Sequence, residues 1–267
     1  MPHYNATAIV LRRLHFGETD NILTLYTRER GRISAIAKGA RKPISRLSGA
    51  TEALTCVRFG LATGNSMDIV TQAEVKESFP LLRHDLQRLA HGMYFAELLS
   101  HSVADEDPNP YLFDLLMTGL FLLQRINPPE TGARWFELHL LEDLGYAPQL
   151  NECVYCQAPL PGQSPATALF ALSKSQGGAL CPIHAHPDTY EDHSALGHSA
   201  LAYLQALNAI PIEQVSTVPS VPAPIVKAQD QARMALRRYV RYRLECELKS
   251  LDFLDSLRFA NSASEAA

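Results

Sequence analysis

The chain has 267 residues, 46% of them hydrophobic and 19% charged. That is the composition of a globular protein, long enough for two or three compact units. Its net charge of −4 conceals an asymmetry: residues 1–60 carry 10 basic against 4 acidic residues, and residues 61–267 carry 14 against 24. A locally basic segment on an acidic chain points to one polyanion-binding face rather than general stickiness. The longest near-apolar run, Leu115 to Leu123, falls far short of the ~18 residues of a membrane helix. MPHYNATAIVLRR has no charged stretch ahead of its apolar run, so it does not read as a secretory signal and a cytoplasmic protein is expected. Five cysteines, an odd number, argue against a disulfide framework.

The first elements are strands. Ile22, Leu23, Leu25 and Tyr26 precede a turn at Arg30-Gly31, and Ile33, Ala35, Ile36 and Ala37 follow it. Two apolar runs about a polar, Gly-containing turn predict a β-hairpin. Lys38 to Arg46 then forms a basic stretch without an acid. Lys38, Arg41, Lys42 and Arg46 lie among Gly39, Ala40, Pro43 and Ser45, small or turn-forming residues that let a backbone approach phosphates. These four are the predicted phosphate contacts, with Arg12, Arg13 and Arg32 as weaker candidates. A solvated surface loop is the plainer reading. Phe16, Tyr26 and Phe59 are candidates for stacking on bases, or equally for the core. Strands are predicted from Leu54 to Leu61 and from Met67 to Val75, joined by a turn at Thr63-Gly64-Asn65-Ser66. Read alone, these runs predict a small antiparallel sheet or barrel.

At Pro80 the periodicity becomes helical. Leu82, Leu86, Leu89, Met93 and Leu98 mark a helix to about Val103. Asp105-Glu106-Asp107 and two prolines break it. Tyr111 to Ile126 is a second helix, apolar on most sides. Glu130 to Leu144 is a third, with Trp135, Leu138 and Leu141 inward and Gly145 as its C-cap.

Asn151 to about His186 is different. Cys153 and Cys156 form C-x-x-C, and Cys181 and His184 form C-x-x-H. Each pair places two ligands on one tight turn, and the excursion between them can close around tetrahedral Zn²⁺. Three thiolates and one imidazole leave no open position, so the metal would be structural. His186 rivals His184 as the fourth ligand. Unused thiols, or a redox C-x-x-C, are the alternatives; a redox motif normally opens a helix after a strand, whereas this one follows a loop.

Beyond this loop, Ser199 to Ala209 predicts a short helix. The prolines at 211, 219, 222 and 224 predict an extended connector. Ile225 to Leu248 predicts a long final helix. On it Arg233, Arg237 and Arg241 are four apart and share a face, with Leu236 and Val240 beside them. That stripe is either solvated or a second anion site, for DNA or an acidic peptide. No phosphate-binding Gly loop, G-x-S-x-G, H-E-x-x-H or dinucleotide fingerprint occurs, so binding is expected rather than catalysis.

Six stretches carry a resemblance. They are GETD (17–20), LTLYT (23–27), AKGARKPISRLSG (37–49), LGYAPQLNECVYC (144–156), SQGGALCPIHA (175–185) and LKSLDFLDSL (248–257). Together they resemble the RecO family of bacterial recombination mediators. The resemblance implies an α+β protein with three parts. These are an OB-fold barrel over residues 1–80, a helical domain over 81–150 and 187–267, and a zinc-binding loop inserted at 151–186. It also implies binding of single- and double-stranded DNA and annealing of complementary strands. With RecR, such proteins help RecA replace the single-stranded-DNA-binding protein, whose acidic tail the family captures. Many members hold zinc with four cysteines; His184 stands in the last place here. The alternative is a zinc-ribbon module that binds RNA or protein without a recombination role.

Overall fold

The computed structural model describes residues 2–162, 164–185, 191–222 and 224–265. The chain divides into two compact units, one of Met1–Gln124 with Leu248–Ala267 and the other of Arg125–Glu247. The last barrel strand ends at Glu77, and the first compact unit continues past it through two long helices.

The first unit opens on five strands: β1 (His3–Phe16), β2 (Asp20–Thr27), β3 (Gly31–Ala37), β4 (Cys56–Ala62) and β5 (Asp68–Glu77). They close into a barrel in the order β1-β2-β3-β5-β4, with β1 pairing back onto β4. All pairs are antiparallel except β3 with β5, which is the five-stranded OB topology. The period of two decides the inside. Ile33, Ala35 and Ala37 are buried and Ser34 between them is exposed. Leu23, Leu25, Val57, Phe59 and Leu61 are at 0% exposure in the same core. Each large apolar side chain so buried contributes about 1.5–3 kcal/mol.

Helices follow at α1 (Pro80–Arg83), α2 (Leu86–Ser102) and α3 (Pro110–Arg125). The single helix expected from Leu82 is split because Asp85 leaves helical geometry and caps the second piece, accepting from Gln87 N and Arg88 N at 2.9 and 3.1 Å. The segment from Asp105 into α3 receives the barrel. Asp105 accepts from Arg32 Nε at 2.6 Å, Asp114 pairs with Arg28, and Tyr26 Oη donates to Asn109 O. Gly31, at φ +68°, sits where an added Cβ would lie 2.2 Å from Asp107 O, so only glycine fits this turn.

The second unit holds α4 (Pro129–Asp143), a sheet of β6 (Leu169–Ser173), β7 (Gly178–Leu180) and β8 (His193–Gly197) in the order β7-β6-β8, then α5 (His198–Asn208) and α6 (Val226–Leu244). Trp135 is fully buried and donates from Nε1 to Ile210 O. Gly145, at φ +77°, ends α4 as expected. Three expectations are corrected. The small sheet replaces what the sequence presents as a loop. The connector after Pro211 is a 3-10 helix over Ile212–Ser220, since proline's fixed φ suits that helix as well as an extended chain. The predicted last helix ends early, at Leu244, where Glu245 turns to φ +47°, and a further helix, α7 (Lys249–Glu265), follows it. The α7 start belongs to the first unit, where the Glu97 carboxylate accepts from Lys249 N and Ser250 N. Among the described residues no helix is long and apolar enough to cross a membrane.

Candidate metal centre and nucleic-acid interface

The four predicted ligands converge. Cys153 Sγ, Cys156 Sγ, Cys181 Sγ and a ring nitrogen of His184 all lie within 4.8 Å of one another. Cys156 and Cys181 sulfurs are 3.8 Å apart, far beyond a disulfide bond. His184 Nδ1 is 3.6 Å from Cys153 Sγ and 3.2 Å from Cys181 Sγ. A tetrahedral ion with bonds of about 2.3 Å to sulfur and about 2.0 Å to nitrogen requires edges of roughly 3.5–3.8 Å. The donor set therefore fits a closed, four-coordinate metal. His186 lies outside the described residues.

Local structure builds this group from two turns. Gln157 N closes the first on Cys153 O at 2.8 Å, with Gln157 at φ +59°. His184 N and Ala185 N both return to Cys181 O at 2.9 Å to form the second. Strand-like bonds hold the turns together: Val154 N to Ala179 O at 3.0 Å and Ala179 N to Gln149 O at 2.7 Å. Tyr155 stacks on the His184 ring at 5.4 Å, 15° from parallel. Burial opposes ionisation of the Cys153 thiol, but the backbone N–H groups of Cys181, Cys156 and Tyr155 outweigh it and bring its pKa down to about 6. Burial keeps the Cys181 thiol above its ordinary value. One thiolate is thus favoured before any cation arrives, as a metal ligand requires.

The basic stretch leaves β3 as a loop whose four cations, Lys38, Arg41, Lys42 and Arg46, are all exposed. The GETD turn anchors it. Asp20 Oδ1 accepts from Gly39 N at 2.8 Å, and Arg41 N donates to Thr19 O at 2.8 Å. Gly39 takes φ +64° at the bend. The Gly39 N–H, then the Thr19 hydroxyl and the Lys38 and Lys42 charges, hold the Asp20 carboxyl below its usual range.

The weaker candidates part company. Arg12 is exposed. Arg13 is paired with Glu52, and Arg32 with Asp105 and the Ser100 carbonyl. Among the aromatic candidates, Tyr26 and Phe59 are core at 0% exposure and Phe16 is 50% exposed. On α6, Arg241 is exposed, Arg237 is half-buried and Arg233 is bound to Asp230 at 3.0 Å. Leu236 and Val240, expected beside this stripe as a pocket, are instead core. A helix shows its partners only once α4, α5 and β8 are packed against it.

An OB-type barrel carrying an exposed cationic loop, followed by a unit with a four-ligand Cys/His cluster, defines a class of two-part binding proteins. Two family models together cover most of the chain. That for Recombination protein O N terminal matches residues 1–79, and that for Recombination protein O C terminal matches residues 83–252. The chain is 40% identical to the DNA repair protein RecO of Pelotomaculum thermopropionicum over 276 residues, 100% of this chain and 99% of that one. It is 38% identical to the RecO of a Roseiflexus species over 96% of this chain and 86% of that one. With the RecO of Heliobacterium modesticaldum the identity is 37%, over 95% and 90%. The chain belongs to the RecO family of DNA repair proteins.

Proposed function

We propose that this chain is a non-enzymatic recombination mediator that holds single- and double-stranded DNA on the barrel through Lys38, Arg41, Lys42 and Arg46. The observation that carries this is the exposure of all four cations on one loop braced by Asp20 and Thr19. Arg12 extends the surface, whereas Arg13 and Arg32 contribute less because they are engaged within the protein. Phosphate contacts carry no base information, so binding is largely independent of sequence. Family membership supports the finer role: annealing complementary strands and, with RecR, assisting RecA on DNA coated by single-stranded-DNA-binding protein. The protein works in the bacterial cytoplasm, at the nucleoid.

The Cys153, Cys156, Cys181 and His184 cluster holds one structural Zn²⁺, which ties two turns of the second unit together and leaves no position for a substrate. The acidic tail of the single-stranded-DNA-binding protein docks on α6, its carboxylates paired by Arg237 and Arg241 with Arg233 in support. Met234, 57% exposed, supplies the apolar contact in place of Leu236 and Val240.

A salt titration of single-stranded DNA binding tests the loop. Each phosphate contact contributes roughly −0.7 to the slope of log K against log salt. Replacing the four loop cations by Ala is expected to flatten that slope by about two to three. An unchanged slope would reduce the loop to a solvated surface.

A further inference from the structure

The outer face of the barrel carries an apolar row that its core does not require. The cause is a register shift in β1. Ala6, Ala8 and Val10 point into the barrel core. Strict alternation would send Arg12, Leu14 and Phe16 inward as well. A bulge between Val10 and Arg12 reverses the alternation. Beyond it Arg13 lies opposite the fully buried Leu23, so Arg13 takes the inner side and reaches Glu52. Arg12, Leu14 and Phe16 are turned outward together.

Cross-strand register then extends the row. Leu14 lies opposite Ile22, Ile22 opposite Ile36, and Ile36 opposite Ile69, across four strands. Ile22, Ile36 and Ile69 are half-buried, while Leu14 is 44% and Phe16 50% exposed. Directly opposed side chains on one face touch, so these residues make a continuous apolar ladder tipped by a phenyl ring. The next rung along β1, β2 and β3 is polar, with Arg12 opposite Thr24 and Thr24 opposite Ser34.

The basic loop borders this ladder. It begins directly after Ala37, and Arg41 contacts both Thr19 O and Gly17 O at the hairpin tip. An apolar surface edged by exposed cations suits a ligand with apolar faces strung on an anionic chain. Unpaired nucleic-acid bases have that chemistry, and paired bases do not, because stacking in the duplex hides their faces.

We propose that the Leu14–Ile22–Ile36 ladder, tipped by Phe16, stacks unpaired bases and gives the barrel a preference for single strands over duplex. The proposal rests on the reading of the loop as a phosphate site. The two functions separate physically: the loop senses charge, and the ladder senses exposed base faces.

The test uses the full chain with three fluorescent ligands of one length: an oligothymidylate, its abasic counterpart and a duplex. Phe16→Ala is expected to weaken oligothymidylate binding roughly 5- to 150-fold, the equivalent of the ~1–3 kcal/mol of one base–aromatic stack. Affinity for the abasic and duplex ligands stays put, and so does the salt slope. Phe16→Trp keeps the affinity, and its fluorescence is quenched by oligothymidylate but not by the abasic chain. Undiminished oligothymidylate binding in Phe16→Ala, or an equal loss on the abasic ligand, overturns the proposal. A loss seen only in self-association by sedimentation would assign the ladder to a second copy of the chain and overturn it too. Failure of the loop reading shows separately, as an unaltered salt slope in the four-cation variant whatever Phe16 does.

Discussion

Gly178→Ala probes how the two turns of the metal centre are held. Gly178 opens β7 three residues ahead of Cys181. An added Cβ would lie 2.6 Å from Gln149 O, 2.6 Å from Val154 Cγ1 and 2.9 Å from Gln149 Cβ. The two closest approaches fall about 0.8 Å short of ordinary contact at 3.4 Å, and one of them is backbone. Either β7 or the 149–154 segment must withdraw. Both are tied by Gln149 N to Gly177 O at 3.0 Å, Ala179 N to Gln149 O at 2.7 Å and Val154 N to Ala179 O at 3.0 Å. Withdrawal therefore separates Cys153 and Cys156 from Cys181 and His184. Overpacking of this size costs about 1–3 kcal/mol. On the proposed reading of the cluster as a zinc site, that cost, borne mainly by the cluster, is expected to lower zinc affinity roughly 5- to 150-fold. Competition with a chromophoric chelator measures it directly, with Gly145→Ala as control. Gly145 has nothing within 4 Å of its notional Cβ and is strained only by its φ of +77°, so that variant loses stability at the α4 end and keeps its zinc affinity. Gly178→Ala binding zinc as tightly as the wild type would refute the claim that this close approach sets the ligand spacing.

Two further predictions concern charge. Arg134 and Glu137 form a bidentate pair on α4 with side-chain exposures of 4% and 0%, so Glu137→Ala should cost about 3–5 kcal/mol in denaturant unfolding, whereas an Arg134→Met/Glu137→Leu double variant should come close to neutral; equal losses in the two would show that packing and not pairing matters there. Asp20 has a depressed pKa in the folded chain, so its brace on Gly39 N–H is complete above the ordinary carboxylate value of 3.8 and is lost as the pH falls through the lower folded value. The Gly39 amide shift in an NMR titration should accordingly move with a midpoint below 3.8, and a midpoint at or above it would mean the brace is absent in solution.

What was legible in the sequence depended on distance along the chain. Cys153 with Cys156 and Cys181 with His184 could be paired because each pair lies on one turn, whose geometry is local. The β2–β3 hairpin was legible for the same reason. The burial of Leu236 and Val240 was not, since α6 acquires its inner face from β8, α5 and α4. The β6–β8 sheet was missed because its strands are only three to five residues long, too short for a period of two to stand out. The break at Glu245 carries no glycine or proline to announce it. The outward turn of Phe16 was hidden because a bulge shifts the register without changing the apolar pattern of β1.

Charge shows how a local signal can overstate its own extent. The basic excess of residues 1–60 pointed to a polyanion face, and the structure divides that excess in two. Arg13, Arg28, Arg30 and Arg32 meet Glu52, Asp114, Glu106 and Asp105. Three of those four acids lie beyond residue 100, Asp105 and Glu106 in the acidic break after α2 and Asp114 on α3. Exposed pairs of this kind add only about 0–1 kcal/mol each, so their larger effect is on where positive potential remains. With those arginines paired, the largest group of exposed cations on the barrel is the loop from Lys38 to Arg46, which is bonded to Gly17 and Thr19 at the hairpin tip. On the proposed DNA-binding role, the acids after α2 act through the barrel's charge and not by contact with the ligand. They pair cations that would otherwise compete, on the proposed reading, with the loop for the phosphate chain.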